Sequence, residues 1–148
     1  GDEIAMLNEE SYLGDPEKAH DSRWIHRPKM DWAAVDAARQ DGATTPEALV
    51  FQGIRTIMSR RSATPELHAG HPTHIIDTPG PGLFALIHEA PTGALLCLFN
   101  FTENWTSVPG EWALNHGVRD LHDALSDRPV ALKDGNIALA PYARVWLR

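Results

Sequence analysis

The chain has 148 residues, 43% of them apolar and 22% charged, with a formal net charge of −7. Such a length builds one domain with a true core, or a small domain and an appendage, and the composition is that of a folded globular protein. The acidic balance leaves no basic stripe to meet phosphates, which excludes nucleic acid. No apolar run approaches the roughly 20 residues a bilayer span needs, and a single cysteine, Cys97, excludes an internal disulfide or a cysteine zinc cluster.

In chain order, Gly1 to Asn8 opens with an acidic pair and a short apolar run, which reads as the end of a strand turning into a loop. The start at Gly1, with neither methionine nor a basic apolar leader, suggests a fragment or a processed chain. Asn8 to Gly14 is rich in turn residues. Asp15 to Met30 follows without periodicity and is dense in charge, with Pro16 and Pro28 forbidding a long helix. A polar loop of about thirty residues is uncommon in a compact domain unless it has a function. Trp24 is costly to leave in water, and Arg23 and Arg27 beside it present fork-shaped donors suited to carboxylates or sugar hydroxyls.

Asp31 to Gln40 predicts a short alanine-rich helix capped by Asp31 and ended by Asp41 and Gly42. A longer helix follows: Thr45 as N-cap, Pro46 at the first position, Glu47 at the positive end, and a stop near Ser62 before Pro65. Val50, Ile54, Ile57 and Met58, with Phe51 beside them, supply its apolar stripe. From His68 the pattern changes to short apolar runs at 73–76, 83–87, 94–101, 118–121, 137–139 and 143–147. Glycine- and proline-bearing turns separate them, among them Pro109-Gly110. About six such runs over roughly 80 residues predict an antiparallel sandwich, with Leu96, Leu98, Val145 and Leu147 inward and the Cys97 strand central.

Few residues outside the loop suggest chemistry. His68, His71 and His74 could supply three imidazoles to a metal, but Gly70 and Pro72 break the helix that would align them, so none is expected. Asn100-Phe101-Thr102 and Asn104-Trp105-Thr106 match the glycosylation sequon but read more simply as turn and edge residues. Glu9 and Glu10 are neighbours that seldom converge on one atom, and Gly80 and Gly82 form no phosphate loop.

Taken together, Gly1-Asp2-Glu3-Ile4, Leu7-Asn8 and His20-Asp21-Ser22-Arg23-Trp24-Ile25-His26-Arg27-Pro28 resemble one place in the α-amylase superfamily, glycoside hydrolase family thirteen. That place is the eighth barrel strand and following loop of the amylosucrase and sucrose hydrolase branch. Phe51-Gln52-Gly53-Ile54-Arg55 resembles its last barrel helix; Asn100-Phe101-Thr102-Glu103 and Leu139-Ala140-Pro141-Tyr142 resemble its terminal sandwich. Ala5 departs from the pattern, standing where many relatives carry glycine.

The resemblance implies a mainly β chain: the end of a (β/α)8 barrel with its last strand, long loop and last helix over residues 1–66, then an antiparallel β-sandwich over 67–148. It implies a retaining reaction on an α-glucosidic bond, with an aspartate nucleophile, a glutamate acid/base and a second aspartate holding the sugar. All three would precede Gly1, so no catalytic residue is expected in this chain and Glu3 is not the acid/base. Arg23 is the residue that carries over. It would pair with an aspartate of an earlier barrel loop and close the base of a glucosyl pocket. The implied partners are sucrose, an α-glucan and the amino-terminal remainder of the enzyme; no membrane, metal or cofactor is expected, and the absent leader suggests a cytoplasmic setting. A stand-alone sandwich binding carbohydrate or a protein is the alternative.

Overall fold

A computed structural model describes residues 1–40 and 42–148. Contacts divide the chain into two compact units, Gly1–Met58 and Ser59–Arg148, each described by itself.

The first unit is built from short helical pieces. The opening forms one 3-10 turn, Asp2–Ile4, where a strand end was expected. A strand requires a neighbour to take its hydrogen bonds, and among the described residues of this unit there is no other strand to supply one. The long loop is organised by further 3-10 turns at Ser11–Gly14 and Ser22–His26. Helix α1 (Trp32–Ala38) is capped as expected, the Asp31 carboxylate accepting from the Ala34 N–H at 3.0 Å. Asp41, expected to end it, lies outside the described residues, while Gly42 takes φ +76°. Helix α2 (Pro46–Ser62) matches its predicted limits, with the Thr45 hydroxyl accepting from the Ala48 N–H at 3.3 Å. A small core joins Ile4, Ala38 and Ala48, with Met6, Met30, Val35 and Phe51 packed around them. The α2 stripe is only partly used: Val50 and Met58 are exposed, against expectation. Periodicity identifies an apolar face, not the presence of something to cover it.

The second unit is a β-sandwich of antiparallel strands. Its larger sheet runs β1 (Thr73–Ile76), β2 (Leu83–Ala90), β3 (Gly93–Asn100), β9 (Arg144–Leu147), β5 (His122–Asp123) and β6 (Arg128–Pro129). The smaller has β8 (Asn136–Leu139) between β4 (Thr106–Pro109) and β7 (Leu132–Lys133). Ala85 opposes Leu98, and Leu96 opposes Leu147, so alternation sends all four to one face. There they meet Val108, Ile137 and Leu139 of the smaller sheet in one buried core. Of the four residues expected inward, Leu96, Leu98 and Leu147 are fully buried and Val145 packs at the edge of that core. Cys97 lies on a central strand as expected, and it too is buried, on the opposite face with Leu95 and Trp146.

Two expectations fail here. Residues 118–121, read as a strand, are irregular, because Gly117 at φ +84° turns the chain and pairing begins only at His122. Pro109-Gly110, read as a turn, ends β4 and opens helix α3 (Gly110–Asn115), whose Ala113 enters the core. Pro109, at φ −58°, ends the strand and stands just before the helix, so the same two residues serve either outcome.

Candidate functional site

The loop from Asp15 to Met30 is held by its own acids. Asp15 accepts from the Glu17 N–H at 3.0 Å and pairs with the Lys18 ammonium at 2.8 Å. Asp21 caps the Ser22–His26 turn through the Arg23 N–H at 3.0 Å. The same carboxylate grips the Arg23 side chain: Nε donates to Oδ1 at 2.8 Å and Nη2 to Oδ2 at 2.8 Å, the planar two-point pairing that arginine alone provides. These donors hold the Asp21 carboxyl well down, to about 2, the side-chain bond first and the backbone N–H second. The carboxylate in turn raises the Arg23 guanidinium above its ordinary value.

The loop is also tied to the chain's opening. His26 Nδ1 lies 3.0 Å from Asn8 Oδ1, and the Glu9 N–H donates to the Ile25 carbonyl at 2.9 Å. Trp24 is half-buried between two cations, Lys18 Nζ at 5.1 Å and Arg27 Cζ at 5.6 Å from its ring. Beside it opens a cleft of about 360 Å³ bordered by Glu9, Tyr12, Asp15 and Lys29. Arg23 stands on the outside of the loop with 75% of its side chain exposed, and it borders neither this cleft nor the smaller one at Asn8 and His26. The structure therefore brings Asp21 to Arg23 and gathers Trp24 with Arg27. Its chemistry is that of a rigid display: a guanidinium fixed in direction, with Nη1 outside the fork.

The His68 and His71 rings lie 5.6 Å apart, but each of the three histidines has its own nearest partner. His68 Nδ1 accepts from the Gly70 N–H at 3.1 Å, His71 lies against the Glu66 carbonyl, and His74 lies 3.8 Å from Glu89. Among the described residues no cluster of histidine, cysteine and carboxylate side chains could hold a metal ion. Nor is any helix among them long and apolar enough to cross a membrane.

In the sandwich the two signature segments prove to be one knot. The buried Asn100 side chain donates to the carbonyls of Asn104 and Ala140, each at 2.8 Å, and accepts from the Thr102 N–H and hydroxyl. The Tyr142 N–H reaches the Thr102 carbonyl, and its hydroxyl lies 3.4 Å from Glu103. Asn100 is thus a structural residue. A family model described as "Amylosucrase, C-terminal domain" matches residues 73–148, just over half of the chain. The chain belongs to that family. Among solved structures it is similar to AmyP in complex with maltose, with 19% identity, a TM-score of 0.56, and 72% of this chain against 21% of that one. A variant of AmyP in complex with maltotriose gives 20% identity and a TM-score of 0.57, over 72% of this chain and 22% of the other. At that identity the likeness concerns the fold alone, and the chain spans about a fifth of the length of those proteins.

Two buried carboxylates of the second unit escaped the reading of the sequence. Asp123 is buried and accepts three backbone N–H groups, from Leu125, Ser126 and Trp146. Glu66, ahead of the matched residues, is buried and accepts from the Thr92 hydroxyl at 3.2 Å. Neither sits in a motif, and nothing in single-sequence patterning marks a carboxylate for burial.

Proposed function

We propose that this chain is the carboxy-terminal part of a retaining, sucrose-acting α-glucosyl enzyme of glycoside hydrolase family thirteen. Residues 1–66 form the end of its catalytic (β/α)8 barrel and 67–148 its terminal sandwich. The observation that carries the reading is the family match over 73–148, a domain described as the carboxy-terminal one of amylosucrase. The structural likeness to AmyP, in complex with maltose and, as a variant, with maltotriose, supports a carbohydrate ligand. Exposed apolar side chains on the first unit, Leu7, Leu13, Trp32, Leu49 and Met58, suit a segment covered by the amino-terminal remainder.

Arg23 is the wall of the glucosyl pocket in this reading. Its Asp21 fork fixes the plane of the guanidinium, and Nη1 is left to meet a carboxylate of the remainder or a sugar hydroxyl. The nucleophile and the acid/base lie in the remainder, so the whole enzyme transfers glucosyl from sucrose to an α-glucan or to water. The test is Arg23→Ala in the complete enzyme. Sucrose turnover should fall by at least 100-fold, on the order of 3 kcal/mol of transition-state stabilisation, with the sandwich folded, and Arg23→Lys should not restore it. Near-normal turnover by Arg23→Ala would remove Arg23 from the pocket.

A second reading, a stand-alone module binding carbohydrate or a protein, is favoured by one observation. Phe84, Phe99 and Phe101 form an open aromatic group on the outer face of the larger sheet, with centroids 6.1 to 6.4 Å apart. Sucrose turnover by the complete protein separates the two readings.

A further inference from the structure

Four of the eight histidines, His68, His71, His74 and His88, gather at one corner of the second unit, where the chain passes from the last turn of α2 into β1. The passage is a 3-10 turn, Pro65–Leu67, and a further turn to Pro72, and the 3-10 turn packs against β2 and β3. It buries Thr64 and Glu66 and is closed by backbone bonds. The Leu67 N–H donates to the Thr64 carbonyl at 3.1 Å, the His71 N–H to the His68 carbonyl at 3.0 Å, and the Glu89 N–H of β2 to the Pro72 carbonyl at 3.0 Å. Two imidazoles complete the closure. His68 Nδ1 accepts from the Gly70 N–H at 3.1 Å, a role open only to a ring with no proton on that nitrogen. His71 Nδ1 donates to the Glu66 carbonyl at 3.2 Å, and its ring stands 5.6 Å from that of His68. His88, directly opposite Thr73 on the neighbouring strand, keeps Nδ1 2.9 Å from the Thr73 hydroxyl. Burial first, and the His71 charge second, hold His88 below the ordinary histidine value.

We propose that this corner is an acid-operated latch: neutral histidines hold residues 65–72 on the larger sheet, and protonation of His68, His71 and His88 releases them. A charged His68 has two donors and no acceptor, so the Gly70 N–H loses its partner. Charges on His68 and His71 oppose each other across 5.6 Å, and a charge on His71 opposes one on His88. The neighbouring groups do little to offset them. The Glu66 carboxylate turns to the Thr92 hydroxyl at 3.2 Å, and Glu89 faces His74 at 3.8 Å. Strand β3 carries no charged side chain, and Arg61, bordering the same hollow as His68, adds a further positive charge. The sign is fixed by His88. The fold favours its neutral form, so its contribution is present above 6.5 and is lost as the pH falls through the lowered value. A short segment held by few bonds opens locally before the sheet does.

The latch uses residues of the second unit alone, and its test needs no sugar and no further chain. Amide hydrogen exchange of the isotopically labelled 148-residue chain is measured as protection factors, corrected for the intrinsic rate at each pH, beside titration of the histidine ring resonances. From about pH 7.5 to about pH 5, protection of the Leu67, His71 and Glu89 amides should fall about tenfold, while Leu96 and Leu98 at the centre of the sheet keep theirs. In the double variant His71→Gln, His88→Gln the fall should shrink below about twofold. The natural chain supplies a second measurement should that variant not fold: His88 should titrate below 6.5. Protection independent of pH, an equal loss at Leu96 and Leu98, an undiminished fall in the double variant, or a His88 midpoint at or above 6.5 would each overturn the proposal.

Discussion

Arg23 and Asp21 lie two residues apart on an exposed turn, and an exposed ion pair contributes little to stability. The use of this pair is directional: two parallel bonds allow the guanidinium plane one orientation. The Asp21 carboxyl is lowered from 3.8 to about 2, so the charged fork is intact at neutral pH and is lost as pH falls through about 2. Carbon-detected NMR titration should find that midpoint, and Arg23→Ala should return it toward 3.8. A midpoint unchanged by the substitution would mean the pair does not form. Cys97 is the opposite case, a group defined by burial. Desolvation first, and the Asp123 charge second, push its thiol from 9.0 up to about 12. The folded state thus keeps a proton that the unfolded state releases. Its contribution is complete below pH 9.0 and is lost as pH rises toward about 12, at up to about 1.4 kcal/mol per unit. Denaturant midpoints measured across that window should fall more steeply for the natural chain than for Cys97→Ala, and thiol reagents should label the folded protein slowly at neutral pH.

Among elements, the turn between β5 and β6 rests on Asp123. Its carboxylate accepts from Leu125 and Ser126 at 3.1 Å and from Trp146 of β9 at 2.8 Å, so one side chain closes the turn and locks the neighbouring strand. Asp123→Ala would strand three N–H groups, two of them in buried residues, and should cost about 3 kcal/mol, seen as a lower urea midpoint with little change in m. A loss below about 0.5 kcal/mol, the range of surface substitutions, would mean water replaces the carboxylate. This residue also marks the limit of what the sequence discloses. Strands β1, β2, β3, β8 and β9 are legible because each carries an apolar run between turn residues, and α2 because Thr45, Pro46 and Glu47 announce its start. The two-residue strands β5, β6 and β7 are invisible in the sequence, since their pairing is set by long-range neighbours and not by local pattern. Of the candidate site, the Asp21–Arg23 string was legible as a motif. Its internal fork depends on turn geometry that a string of letters does not carry. Ala5 shows the same boundary from the other side: it takes φ +52°, a conformation glycine adopts freely, which gives a physical reason for the glycine that the resemblance leads one to expect there.

At the scale of the molecule, the two units differ in how they satisfy themselves. The sandwich buries Leu96, Leu98, Ile137, Leu139 and Leu147 completely, whereas among its described residues the first unit buries fully only Ile4, Ala38 and Ala48 and leaves Leu7, Trp32 and Met58 between 65% and 86% exposed. Surface of that kind is covered in a finished protein or is an aggregation hazard. If the remainder of a family-thirteen enzyme covers it, the chain alone should bind a hydrophobic fluorescent dye through its first unit, and addition of the separately produced remainder should release the dye. The same mixture gives the functional readout. In the reading proposed above the nucleophile and the acid/base lie in the remainder, so the 148-residue chain alone should cleave no sucrose and turnover should appear only on reconstitution. Dye release without turnover would retain the covered face and discard the sucrose reading. Turnover by the chain alone would place catalytic carboxylates among its own twenty acidic residues and overturn both.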